Sequence, residues 1–120
     1  DLYVAYHTLP IIISYQYKLM LFMFKYTKFP NTLPTAFAGY FNTNSEIHNY
    51  NTRQLSNFYL ERFNTCFGKR KLHYNAASIW NNLPCHLKEH PSISTFRKHS
   101  NFFYYQLYNV SLVVLFLLIY

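Results

Sequence analysis

Phe58-Tyr59-Leu60-Glu61-Arg62-Phe63, then Asn64-Thr65-Cys66, then Phe67-Gly68-Lys69-Arg70-Lys71-Leu72-His73-Tyr74, is the stretch on which the fold class turns. Both flanks alternate in polarity, and small polar residues with Gly68 lie between them. Alternation with a period of two marks a half-buried strand, and two such runs joined by a short polar loop predict a β-hairpin. In the second strand Leu72 and Tyr74 face one way, while Lys69, Lys71 and His73 face the other.

Downstream, residues 75–83 read as a short helix with Ile79, Trp80 and Leu83 inward, stopped by Pro84. Ser92 or Ser94 caps a long final helix whose buried face carries Ile93, Phe96, Phe103 and Leu107. Upstream, Ile12, Tyr15, Leu19, Phe22 and Tyr26 recur at helical spacing and predict a helix over 9–26. Its block from Leu19 to Phe24 is apolar all round, so that helix packs on more than one side. Pro34 suits the first turn of a second helix carrying Phe37, Tyr40 and Phe41 inward and ending near Asn42 to Asn44. Residues 42–57 are rich in Asn, Ser and Thr and read as a surface loop. The expected class is α+β, mostly helical: two N-terminal helices, a central β-hairpin, a short helix and a long C-terminal helix. Residues 1–108 form a single module, and 109–120 an apolar tail.

The chain has 120 residues, room for one domain with a modest core. Eleven Lys and Arg against four acids give +7, a balance that favours anionic partners. With 51% hydrophobic and 22% aromatic residues, a disordered basic tail is excluded. Asp1, Glu46, Glu61 and Glu89 are the only carboxylate side chains. They are too few and too spread for a two-metal phosphoryl-transfer site or a two-carboxylate glycosidase. Beginning at Asp1, the chain reads as a piece of something longer that is not a self-sufficient enzyme. Abundant Phe, Tyr, Asn, Ile and Lys also fit A/T-rich coding, so part of the aromatic load reflects nucleotide bias rather than chemistry.

Several pieces share one order: Phe22-Met23-Phe24-Lys25-Tyr26, Leu33-Pro34 with Phe37 and Tyr40-Phe41, and His48-Asn49-Tyr50-Asn51-Thr52-Arg53. Phe67-Gly68-Lys69-Arg70-Lys71, Trp80-Asn81-Asn82-Leu83-Pro84 and Phe96-Arg97-Lys98 follow. Over residues 9–103 this succession resembles the region after the polymerase domain in non-LTR (LINE-type, jockey-like) retrotransposon reverse transcriptases. The resemblance implies a parent RNA-directed DNA polymerase, often with an endonuclease, whose polymerase site holds divalent metal on a Tyr-x-Asp-Asp element. No Asp follows Asp1, so no catalytic residue carries over and the fragment itself has no cofactor. The segment would be a C-terminal accessory part that handles nucleic acid in the nucleus or cytoplasm, with the polymerase domain as its partner. Ser100 departs from the family, which usually has leucine there, and the run after Tyr108 resembles nothing in it.

Lys69, Arg70, Lys71 and His73 form the densest basic cluster. On a strand, Lys69 and Lys71 would lie about 6.6 Å apart and reach successive phosphates of RNA or DNA, with Arg70 joining at the edge. The competing reading is a solvated hairpin whose lysines discourage edge pairing. In the polar loop, Tyr50 could stack on a base and Arg53 fork onto a phosphate. The spacing favours an anchor instead, with Tyr50 tucked under the loop and Arg53 bonding backbone carbonyls. Trp80 reads as an apolar anchor. Cys66, His73, Cys85, His86 and His90 lack the paired spacing of a zinc site. Residues 102–120 carry no charge and follow Arg97, Lys98 and His99, which keeps a C-terminal membrane anchor, or an inert decayed fragment, as alternatives.

Overall fold

A computed structural model describes residues 2–6 and 8–119, with the backbone alone at Val4, residues 111–116 and Ile119. Its centre is α2 (Ile11–Lys28), entered through Pro10 and closed where the Phe29 N–H donates to the Lys25 carbonyl at 2.8 Å. Lys25 and Lys28 occupy the last turn, where cations complement the helix dipole. A four-residue α1 (Leu2–Ala5) precedes it.

The apolar block of α2 packs on two sides, as its composition requires. Against one side lies α5 (Leu72–Asn82), which brings the fully buried Ala76 and Ala77 and so lets the two backbones approach closely. Against the other lies α7 (Ile93–Ile119), where the Phe24 and Phe96 rings stack at 4.0 Å. Leu19, Met20, Met23 and Phe24 join Trp80, Leu83, Phe41, Phe58 and Tyr104 in one core. Leu87, from the single turn α6 (Cys85–Lys88), completes it. Ser92 caps α7, accepting from the Thr95 N–H at 3.3 Å. Ser100, 0% exposed, is buried inside the seam and its hydroxyl has no hydrogen-bond partner.

The expected hairpin is absent, so the class is all-helical rather than α+β: among the described residues there is no strand, and Thr43 and Phe58 form an isolated antiparallel bridge. The segment expected as the second strand divides into α4 (Cys66–Lys69) and the start of α5. The eight residues of the expected strand offer only Leu72 and Tyr74 as an alternating apolar pair, too short a run to fix the period. Leu72, Ala76, Trp80 and Leu83 extend the helical spacing past the point where alternation ends. Thr65, expected in the hairpin loop, caps α4 by accepting from the Gly68 N–H at 3.2 Å.

The expected second helix shrinks to a 3-10 turn, Thr35–Phe37, preceded by another at Pro30–Thr32. Gly39, with φ +66°, turns the chain out of it, so this glycine ends the element rather than interrupting it. Phe41 is buried as expected, with Tyr26 Oη accepting from its N–H at 3.2 Å. Two expected faces are also revised. Ile12 and Tyr15 are exposed, lining an open crevice of about 530 Å³ with Ile79 of α5 and Phe103 of α7, and on α7 Tyr104 faces the core while Leu107 is exposed.

Residues 42–58 form a clasped loop. After α3 (Asn44–Ile47), begun by Glu46 accepting from the Thr43 N–H at 2.7 Å, the chain folds back on itself. The Asn44 N–H donates to the Asn57 carbonyl at 2.9 Å, and the Asn44 side chain to Gln54 at 2.8 Å. Asn81 of α5 fastens the base, accepting from the Phe58 N–H at 2.9 Å and donating to its carbonyl at 2.8 Å. Among the described residues no helix is long and apolar enough to cross a membrane, and the expected tail lies partly outside those residues. The helix runs on through the 108/109 boundary.

Candidate nucleic-acid interface

The junction between α4 and α5 is built on one close approach. A Cβ at Gly68 would stand 2.6–2.9 Å from the Cδ1, Cγ and Cβ of Phe63, so only glycine lets that ring lie against α4. Phe63 meets Tyr74 edge-on at 5.7 Å, giving the junction an aromatic floor. Lys71 places its ammonium over the Phe63 ring, 5.2 Å from the centroid, a cation–π contact that orients it. Lys69 and Arg62 line a shallow groove of about 370 Å³ with Glu61, Phe63 and Tyr74.

Three consecutive cations therefore occupy a tight turn. Lys69 ends α4, Arg70 follows as its C-cap, and Lys71 is the N-cap of α5. All three are exposed, and none is in an ion pair among the described residues. Asn75 donates to the Arg70 carbonyl at 3.3 Å, tying the turn to α5. No side chain caps α5, so the N–H groups of its first turn meet a lysine rather than an acceptor. Helix dipole and side-chain charge then carry the same sign, and a bound anion would satisfy both.

Of the expected binding residues, Lys69, Arg70 and Lys71 are brought together. His73 is not: it stacks on Phe41 at 5.1 Å and meets Tyr40 edge-on at 5.3 Å. The reason is geometric, since residues two apart on a helix point about 200° apart, whereas on a strand they share a face. Arg62 is the residue that sequence reasoning missed. The signal was the aromatic–basic pair Arg62-Phe63 lying ahead of Gly68-Lys69, hidden while 58–63 was read as a strand.

Tyr50 and Arg53 stand on the clasped loop. Tyr50 is 76% exposed, its ring 6.1 Å from that of His48, which overturns its expected role as a buried anchor. Arg53 is exposed and bonds no backbone carbonyl among the described residues, against the same expectation. Trp80 is buried, with the Lys88 ammonium 5.7 Å from its ring centroid. Burial pushes the Lys88 pKa down, partly offset by the nearby Cys85. Among the described residues no three His, Cys, Asp or Glu side chains converge on a point that could hold a metal, and both cysteines are free thiols.

No family model matches this chain, and neither a curated protein nor a solved structure matches it.

Proposed function

We propose that the chain is a non-catalytic nucleic-acid-holding module, the C-terminal segment of a retrotransposon RNA-directed DNA polymerase. Its α4–α5 turn grips the phosphate backbone of template RNA or target DNA. The observation that carries this reading is the turn itself: Lys69, Arg70 and Lys71 exposed and without ion pairs at an uncapped helix start, above an aromatic floor. Arg62 extends the cationic row along the groove. Phosphates on Lys69 and Arg62, a charge on Lys71 held in place by Phe63, and Arg70 at the rim amount to about four contacts. Chemistry is left to the polymerase domain, since this sequence scatters its four carboxylates.

The parentage rests on the succession of motifs, and the structure supplies a physical reason for two of them. Gly68 in the Gly-basic element seats Phe63, and Asn81 in the Trp-Asn-x-Leu-Pro element holds Phe58 by both backbone groups. The reading is tested by fluorescence anisotropy of a labelled single-stranded RNA against a salt series. Four phosphate contacts predict a log–log slope of about −3, at about 0.7 per contact. Binding without salt dependence overturns it. The parentage is tested apart from this, by an open frame upstream of the codon for Asp1 that encodes Tyr-x-Asp-Asp.

A further inference from the structure

At the end of the molecule where α2 begins, three elements meet. Phe24 stacks on Phe96, Tyr17 meets Tyr104 edge-on at 6.4 Å, and Ile13 lines a crevice with Leu107 and Tyr108, so α2 and α7 run antiparallel. α1 closes this end, with Tyr3 edge-on to Tyr108 at 6.4 Å. The side chains presented are large and apolar: Ile11 is 82% exposed, Ile12 71% and Leu2 73%, with Tyr6, Val110 and Leu117 also exposed. Single exposed apolar residues are ordinary on any surface, but several large ones gathered at one end on three elements mark an interaction site.

Charge identifies the partner. Residues 2–45 and 90–120 contain no Asp or Glu, yet include Lys18, Lys25, Lys28, Arg97 and Lys98. Lys18 and Lys98 are exposed, and Lys18 stands about 10 Å along α2 from Ile11. We propose that this end of the molecule docks on an anionic lipid surface. Leu2, Tyr6, Ile11 and Ile12 enter the headgroup–acyl boundary, and Lys18 meets the lipid phosphates. An apolar face with tyrosine at its margin and lysines behind it is the pattern of helices that lie in a bilayer interface. A second copy is the poorer occupant, because pairing this end with itself would bring two sets of cations together without an acid to neutralise them. An anionic leaflet neutralises them on contact. The patch shares no residue with the Arg62–Lys71 groove, so it stands or falls independently of the nucleic-acid reading.

The test is flotation of the full chain with phosphatidylcholine vesicles, plain or containing about one quarter phosphatidylserine. The expected result is partition onto the anionic vesicles, about tenfold weaker on the plain ones and about tenfold weaker for the Ile11→Asp/Ile12→Asp variant. Both side chains are exposed, so the variant's thermal melt should match that of the parent. Should it not fold, Lys18→Glu is read instead, with a loss on anionic vesicles and none on plain ones. Equal partition of parent and variant overturns the proposal. So does a parent that ignores vesicles and forms a dimer that the variant abolishes, which would make the patch a contact between copies.

Discussion

The two regions expected to meet nucleic acid, the α4–α5 turn and the clasped loop, are built on opposite principles. At the α4–α5 turn, charge rides on a backbone fixed from below: Gly68 admits Phe63, Phe63 holds Lys71, and Asn75 ties Arg70. On the clasped loop, Tyr50 and Arg53 project from a segment secured at its base by Asn81 and along its sides by Asn44. Binding to a polyanion rewards groups already held in place, because ordering a long side chain or a loop costs free energy at the moment of contact. The turn should therefore supply the salt-dependent grip, and the loop should adapt around what the turn has caught.

The largest break in that contrast should come from Asn81→Ala. It removes both bonds to Phe58 and leaves a half-buried N–H and carbonyl unpaired, a loss of about 3 kcal/mol in urea unfolding. Protease cutting within 42–58 should rise with it. Next is Gly68→Ala, where a gain of about 1 kcal/mol in helix propensity is outweighed by the clash with Phe63, for a net loss of about 1–2 kcal/mol. Unlike Asn81→Ala, it should also weaken RNA binding out of proportion to the stability lost. If Gly68→Ala binds as the parent does, the turn is not the pre-ordered element.

Lys69→Ala and Lys71→Ala test the charges directly. Each should flatten the single-strand salt slope by about 0.7 while leaving the unfolding free energy within about 0.5 kcal/mol of the parent. The smallest effect is expected from Tyr50→Ala. With its ring exposed, the unfolding midpoint should hold, and any loss in affinity should be independent of salt, because stacking releases no counterions. A large stability loss in Tyr50→Ala would restore the anchor reading.

Much of the helical frame was legible. The apolar block from Leu19 to Phe24, continued at helical spacing to Ile12 and Tyr26, read as a buried helix rather than a membrane span because Lys18 would sit in the middle of the span, and Ser92 ahead of Ile93 announced α7 through its side chain. Trp80 and Leu83 were readable as core because their spacing and size leave little else to do. The junction was not readable, for a reason of scale. Eight residues with one alternating apolar pair do not fix the period, and the contact that decides it, Phe63 on Gly68, depends on a turn that must already be folded. His73 was misplaced by the same error, since a wrong period reverses a side chain. Asn81 gripping Phe58 spans 23 residues, and a lone Asn near a helix end looks like an ordinary terminator. Of the site, the three consecutive cations were plain in the sequence, while Arg62 needed the groove to be seen.

The hydroxyl of Ser100 has a wider consequence. Between the Phe24–Phe96 stack and the Tyr17–Tyr104 pair, the seam of the two longest helices contains a polar atom that nothing satisfies. The union is thus riveted at two levels with a slack rung between them. An unpaired hydroxyl there costs the seam about 1–3 kcal/mol, a penalty that alanine in its place would not carry.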